Sequence, residues 1–430
     1  MSATDPQRAT HRAVEAVWRI ESTRLIAGIA RVVDDVGLAE EIAQDALVIA
    51  LEQWPRSGVP ANPGAWLMAT AKHRAIDLLR RGARYQEKLA QLGRDLESAQ
   101  RAAESGIADA IDDQIGDDLL RLIFTTCHPA LSPAGRVALT LRLLGGLTTG
   151  EIARAFLTTE STVGQRILRA KRALAEKNVH FELPPAAELA ERLPHVLQVI
   201  YLIFNEGYSA TAGHDWTRPA LCAESLRFGR ILAGLMPAEP EVHGLVALME
   251  IQASRLRARY GSEGEPVLLL DQDRRRWDRL LIRRGLQALA RAVDLGGGLG
   301  PYGLQAEIAA CHARALSPQD TDWERIAALY GILAGISPSP VVQLNRAVAI
   351  GMAAGAASGL AATDALTSER SLANYALLPA VRGDLLAKLE RFDEARREFE
   401  RAAAMTRNER ERALFLGRAA DCESAGTPRG

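Results

Sequence analysis

The stretch Leu147–Leu174, LTTGEIARAFLTTESTVGQRILRAKRAL, decides how this chain is read. Thr148 followed three residues later by Glu151 fits a capping box, so a helix should start there. Ile152, Ala153 and Phe156 form the inner face of that short helix, and the small Ala153 lets a second helix cross closely. Leu157-Thr158-Thr159 supplies the turn, with Thr159 as N-cap of the next helix. Val163, Ile167, Leu168 and Leu174 then turn inward. Ser161, Thr162, Gln165, Arg166, Arg169, Lys171 and Arg172 are left for the outer side and the helix end. Two short helices with a polar, basic second helix match a helix-turn-helix, whose second helix enters the DNA major groove. Gln and Arg can donate paired hydrogen bonds to base edges, and the later Arg and Lys residues suit phosphates. An ordinary helical hairpin with a solvated basic face fits the same pattern.

Working upstream, Asn62-Pro63-Gly64-Ala65-Trp66-Leu67 opens a helix that continues as MATAKHRAIDLLRR. Trp66, Ile76 and Leu79 have core-compatible spacing. Lys72, His73, Arg74, Arg80 and Arg81 give a basic surface. Before it lies DVGLAEEIAQDALVIALEQW, Asp35–Trp54, with Leu38, Ile42, Leu47 and Leu51 as apolar positions and acids elsewhere. Charge is segregated along this part of the chain. Asp34 to Glu52 holds six acids and no Lys or Arg. Lys72 to Lys88 holds six bases against two acids, and Glu160 to Lys177 five against two. Leu89 to Asp118 holds eight acids against two bases. The formal net charge of −1 is therefore a cancellation.

The order acidic helix, Trp-opened basic helix, acidic connector and helix-turn-helix resembles an extracytoplasmic-function sigma factor of the sigma-70 family. LAEEIAQDALVIALEQW resembles the segment of that family that binds core RNA polymerase. NPGAWLMATAKHRAIDLLRR resembles the segment that melts and reads the −10 promoter element, and the helix-turn-helix the module that reads the −35 element. The resemblance implies that Asp35, Glu40, Glu41, Gln44 and Asp45 face core polymerase. It implies that Lys72, His73, Arg74, Arg80 and Arg81 lie along the melted −10 strand. It places Ser161, Thr162, Gln165, Arg166 and Arg169 in the −35 groove, with Lys171 and Arg172 on phosphates. His73 stands where many members have Asn, Leu157 replaces a turn Gly, and Gly164 takes a position that is often basic.

The rest of the chain fits an all-α protein. It is rich in Ala, the best helix former, and Gly or Pro interrupts the helical stretches at short intervals. Two small helical sigma domains are expected, one over 12–85 and a helix-turn-helix domain over 117–182. An acidic linker joins them over 86–116. Phe181 to Ala186, with Pro184-Pro185, reads as a hinge, followed by a helical tail over 187–425. In the tail, GDLLAKLERFDEARREFERAA places Gly383, Leu386, Phe392, Ala395, Phe399 and Ala402 at the spacings of a tetratricopeptide repeat. Weaker copies lie at Val341–Leu360 and Leu281–Val293. The whole resembles the sigma-factor subgroup with a tetratricopeptide-like extension. FNEGY (Phe204–Tyr208) and DQDRRRWDR (Asp271–Arg279) mix charge with aromatics, and the bland reading of both is helix ends tied by ion pairs.

Composition excludes other classes. With 48% hydrophobic and 24% charged residues the chain is neither disordered nor extreme. No apolar run reaches the ~18 residues of a membrane span. Met1 to Arg12 lacks a signal-peptide core, and the four cysteines show no paired spacing, so a cytoplasmic protein without metal or cofactor is expected. GxSxG, HExxH and P-loop motifs are missing, which argues against an enzyme. The expected partners are core RNA polymerase and promoter DNA, with the tail contacting its own sigma domains or another protein. The alternative is a stand-alone helix-turn-helix regulator with a ligand-sensing or dimerising tail. The acidic Asp34–Glu52 helix argues against it, because such a regulator has no need of one.

Overall fold

The computed structural model describes residues 6–81, 108–156, 158–261 and 265–426. Those residues are helical apart from one two-residue strand pair, an isolated bridge, short 3-10 turns and connecting loops. They form two compact units, Met1–Val199 and Ile200–Gly430.

In the first unit, α1 (Pro6–Val33), α2 (Val36–Ser57) and α3 (Pro63–Arg81) pack on one another. Asp35 starts α2 by accepting from the Gly37 and Leu38 N–H groups at 2.6 and 3.0 Å. The sealed face of α2 is Ala39, Ala43, Ala46 and Ala50 with Ile42 and Trp54. Leu38, Leu47 and Leu51 are half-buried, so the leucine face expected from the sequence is only the rim. Small contact residues let helix axes approach, and the larger side chains then sit beside the seam. Helix α3 shows the same shift: Leu67, Ala71 and Ala75 are sealed, while Trp66, Ile76 and Leu79 are half-buried. Trp66 instead meets the buried Trp54 edge-on at 5.4 Å.

Helix α4 (Ala108–Thr126) packs on α1. The expected linker 86–116 is therefore helical from Ala108, and its remainder, 86–107, lies outside the described residues. Helices α5 (Pro133–Leu143), α6 (Thr149–Ala155) and α7 (Glu160–Glu176) follow. Phe181–Ala186 is not a free hinge. Phe181 and Pro184 are buried, and the Phe181 N–H donates to Asp34 Oδ1 at 2.8 Å. Helix α8 (Ala186–Tyr208) carries the boundary between the units.

The second unit continues with α9 (Pro219–Leu235), α10 (Pro240–Ala253), α11 (Arg279–Asp294), α12 (Pro301–Arg314) and α13 (Trp323–Ile336). It ends with α14 (Pro340–Ala354), α15 (Ala356–Asp364), α16 (Leu377–Lys388), α17 (Phe392–Met405) and α18 (Glu409–Gly426). Helices α9, α10, α12 and α14 open on proline, whose missing N–H has no helical partner to lose. Near neighbours pair along the chain, as in a helical array. The two ends of this unit meet in a parallel pair, Ala212–Gly213 with Arg407–Asn408. Asn408 Nδ2 locks it by donating to the carbonyls of Ala210 and Asp215 at 3.1 and 2.9 Å.

The expected hairpin around Gly383 is α16 with α17. Ala395, Phe399 and Ala402 are sealed, and the Phe399 ring lies over Gly383. Val341–Leu360 also forms a close pair, α14 with α15, in which Gly351 faces Gly359. Leu281–Val293 is a single helix, α11, rather than a pair. A Cβ on Gly383 would stand 2.9 Å from Phe399 Cε1, inside a core that cannot yield. Gly383→Val is therefore expected to lower the unfolding free energy by about 1–3 kcal/mol, measured by urea denaturation of the full chain.

Candidate functional site

The helix-turn-helix forms as its caps dictate. The Thr148 N–H donates to Glu151 Oε2 at 2.8 Å, and the Glu151 N–H to Thr148 Oγ1 at 3.1 Å. Thr159 Oγ1 accepts from the Thr162 N–H at 3.1 Å. The buried face of α7 is Val163, Ile167, Ala170 and Leu174. Leu168 is 40% exposed, against the sequence expectation, because Ala170 takes the inward position. Leu157 lies outside the described residues. Ser161, Gln165, Arg169 and Arg172 are exposed, and Thr162 and Arg166 are half-buried. Thr162 also shares its hydroxyl with Thr159 at 2.8 Å. The outer face of α7 thus presents hydroxyl, amide and guanidinium groups together, a set able to address both base edges and phosphates.

Lys171 departs from the expected phosphate-facing position. Its Nζ is 2.7 Å from Glu40 Oε2. Arg142 Nε donates to Glu40 Oε1 at 2.6 Å, and Gln44 Nε2 to the same oxygen at 2.8 Å. Glu40 is only 4% exposed, so it does not face outward as the resemblance implied. Burial pushes its carboxyl up, but Lys171 and Arg142 outweigh that and hold it below its ordinary value. The same seam carries further pairs. Asp34, at φ 57°, accepts from His180 Nδ1 at 2.7 Å. Arg31 reaches the largely buried Asp118 at 3.2 Å, and Thr23 Oγ1 donates to the Leu144 carbonyl at 3.0 Å. A cavity of about 200 Å³ lies beside these contacts, lined by Asp34, Asp35, Thr125, Leu174, His180 and Phe181 among others.

The other acids of α2 keep an open face: Asp35 and Glu41 are exposed, and so is Asp45. Asp45 lies 3.6 Å from Arg74 of α3. His73 and Arg74 are exposed and Lys72 is half-buried. The side chains of Arg80 and Arg81 lie outside those described. Arg142 is the residue the sequence reading missed. Its signal is weak, a single arginine at the end of an apolar helix.

The remaining motifs are tied into the fold by their own contacts. Cys127 is buried and pushed up to about 11 by burial, far from a reactive thiolate. His128 is held down to about 4 by burial and nearby arginines, and its Nδ1 accepts from the Ala130 N–H at 3.1 Å. In FNEGY, Glu206 pairs with Arg218 and accepts from Thr211. In DQDRRRWDR, Asp273 pairs with Arg275, and Asp278 caps α11 at the Leu280 and Leu281 N–H groups. Among the described residues no cluster of His, Cys, Asp or Glu could hold a metal ion, and no helix is long and apolar enough to cross a membrane.

The capped α6–α7 pair, with the acidic and basic helices of the same unit, defines a helix-turn-helix DNA-binding protein of the transcription-initiation class. Family models bear this out: sigma-70 region 2 matches residues 20–85 and sigma-70 region 4 matches residues 121–174. A family of unknown function, DUF6596, matches residues 192–293. The chain is 32% identical over 159 residues to the ECF RNA polymerase sigma factor SigK of Mycobacterium ulcerans, covering 35% of this chain and 78% of that one. It is 26% identical over 178 residues to the probable ECF RNA polymerase sigma factor SigI of Mycobacterium tuberculosis, covering 41% and 59%. An uncharacterized protein of Rhizobium meliloti is 45% identical over 382 residues, 89% of each chain. No solved structure matches. The chain belongs to the extracytoplasmic-function sigma factors of the sigma-70 family.

Glu40 gives a pH test. A carboxyl held below its ordinary value stabilises the fold above that value and loses the contribution as the pH falls through the folded pKa. Part of the unfolding free energy should therefore disappear below pH 4.5. At pH 7, Glu40→Gln should cost about 1–3 kcal/mol by leaving two cations without their partner. It should also remove that part of the acid-side decline, as read by urea denaturation across pH.

Proposed function

We propose that the protein binds core RNA polymerase through the exposed acids of α2 and directs initiation at promoters read by α3 and α7. The observation that carries this is one unit holding an acidic α2 face, a basic α3 face and a capped α7 with Gln165, Arg166, Arg169 and Arg172 on its outer side. In this reading Asp35, Glu41 and Asp45 meet polymerase, and Gln44 supports them beside Glu40. Lys72, His73 and Arg74, continuing to Arg80 and Arg81, follow the −10 strand. Ser161, Thr162, Gln165, Arg166 and Arg169 read the −35 groove, with Arg172 on phosphate.

Glu40 and Lys171 have a double assignment. They satisfy each other here, and each is implied by the resemblance to face a partner. We read the pair as an exchange: polymerase takes Glu40, and DNA phosphate takes Lys171. Base flipping costs a few kcal/mol. Polymerase supplies added surface, and it makes the second DNA contact intramolecular. The helical extension beyond residue 187 assists or regulates initiation, and no catalytic residue, metal or cofactor enters this function.

The test is run-off transcription with core polymerase and the full chain. Promoter-specific transcripts are expected, and Arg169→Ala should reduce promoter affinity by about 1–3 kcal/mol with relaxed preference at one −35 position. Duplex affinity should fall with a log–log salt slope of roughly −4 to −5 for about five phosphate contacts. Glu40→Gln should raise the duplex affinity of the free protein while weakening polymerase binding. Tight operator binding without polymerase, and no transcript with it, would overturn the reading in favour of a stand-alone regulator.

A further inference from the structure

Helix α11 carries four arginines, Arg279, Arg283, Arg284 and Arg291, and from the first to the last of them there is no acid. All four are exposed, and none has a hydrogen bond, ion pair or ring contact with a described residue. At 3.6 residues per turn and 1.5 Å rise, they fall within about 140° of one face and run over about 18 Å. The opposite side, Ile282, Gly285, Leu289 and Ala292, is buried, with α10 and α12 packed on the helix. That packing fixes the helix rotation and leaves the arginines as an outward ridge. The acids nearest in the chain lie at its ends. Asp278 is spent as the N-cap, and Asp294 closes the last turn.

Other arginines of this unit are treated differently. Just before α11, Arg274 donates to the carbonyls of His312 and Ala315, Arg275 pairs with Asp273, and Arg276 donates to the Tyr260 carbonyl. Around α17, which is also amphipathic, Arg391 pairs with Glu394, Arg396 with Glu400 and Arg401 with Glu398. A solvated face with mixed charge looks like α17. The α11 ridge works against its own helix instead. Arg279 and Arg283 are like charges at i and i+4, which repel. Arg279, in the first turn, also meets the positive end of the helix dipole. The fold gains nothing from this arrangement, whereas a polyanion would.

A lipid surface would need the apolar side of the helix, and that side is buried in the core. Duplex DNA presents about one negative charge per 1.7 Å of its axis, a line of phosphates to match a line of guanidiniums. The first unit of the same chain carries α7, so once that helix is on DNA a second contact is intramolecular. Guanidiniums spaced along a ridge suit phosphates, which position a protein without reading sequence. We propose that the Arg279–Arg291 ridge of α11 binds the phosphate backbone of duplex DNA, a sequence-independent contact added to those of the first unit. In naming DNA, this rests on the promoter binding proposed for the first unit.

The test is fluorescence anisotropy of the full chain over a sodium chloride series. The probes are promoter duplex and duplex of unrelated sequence, each extended by about two helical turns at either end. On these the ridge adds about four phosphate contacts to the five of the first unit. Changing Arg279, Arg283, Arg284 and Arg291 together to Gln should weaken both duplexes by the same factor, at least tenfold near ~0.1 M salt. It should also make the log–log salt slope shallower by about 3–4. The same four changed to Lys should keep the slope, because a phosphate contact needs the charge. Arg169→Ala, by contrast, should lower promoter preference and leave the ridge's share of the slope intact. A slope change on unrelated duplex, with no promoter preference and no transcript, supports the ridge and sinks the promoter reading. Equal slopes for the wild-type chain and the folded Gln variant overturn the proposal. So does unchanged duplex affinity with weakened binding of core polymerase, which assigns the ridge to an acidic protein surface. Should the fourfold Gln variant fail to fold, Arg283→Gln with Arg284→Gln decides, by a slope change of about 2.

Discussion

Glu40 is a carboxylate taken out of water in the middle of the first unit, and its neighbours must answer for it. A buried carboxylate costs several kcal/mol unless it is paired and hydrogen-bonded. Here Arg142 from α5, Lys171 from α7 and Gln44 from its own helix share its two oxygens. That need fixes how α2, α5 and α7 meet, because a slip of one helical turn would leave an ion without a partner. Asp34 with His180 and Phe181, and Arg31 with Asp118, hold the same seam from its other parts.

This seam changes the meaning of the charge segregation. The α7 surplus is partly consumed inside the unit, since Lys171 is spent on Glu40. What remains outside is arranged by face: Gln165, Arg169 and Arg172 on α7, His73 and Arg74 on α3, Glu41 and Asp45 on α2. Exposed pairs such as Arg74 with Asp45 contribute little and separate readily. The Glu40 group is the costly one to part. A partner that replaces its bonds must bring a cation for Glu40 and an anion for Lys171, which is the chemistry of a basic protein surface and a phosphate backbone.

Local features of the fold were legible in the sequence. The Thr148–Glu151 box and the Thr159 cap involve residues three apart, and both form. The Gly383–Phe399 pairing was legible because a small residue facing an aromatic leaves a short-range pattern. Features set by distant contacts were not legible. Alanines 39, 43, 46 and 50 outrank the leucines of α2 only because neighbouring helices come close. Leu168 gives way to Ala170 for a similar reason. The burial of Glu40 depends on Arg142, 102 positions away along the chain, and on Lys171, farther still, and nothing near Glu40 announces it. The supposed hinge at Phe181 is docked by an acid far upstream, Asp34.

The two arginines beside Trp277 show how structural and unassigned cations differ. Arg274 lies 5.0 Å from that ring and Arg255 5.8 Å. Arg274 donates to the carbonyls of His312 and Ala315 at 2.7 and 2.6 Å and to Thr321 at 3.1 Å. It ties the end of α12 to the following loop, and its charge is spread over three acceptors. Arg255 has the same ring and none of the acceptors. Both keep a sealed Nε without a partner, and such a buried donor costs about 1–3 kcal/mol. The same tryptophan thus carries one arginine fastened through its terminal nitrogens and one whose contacts among the described residues are ring faces.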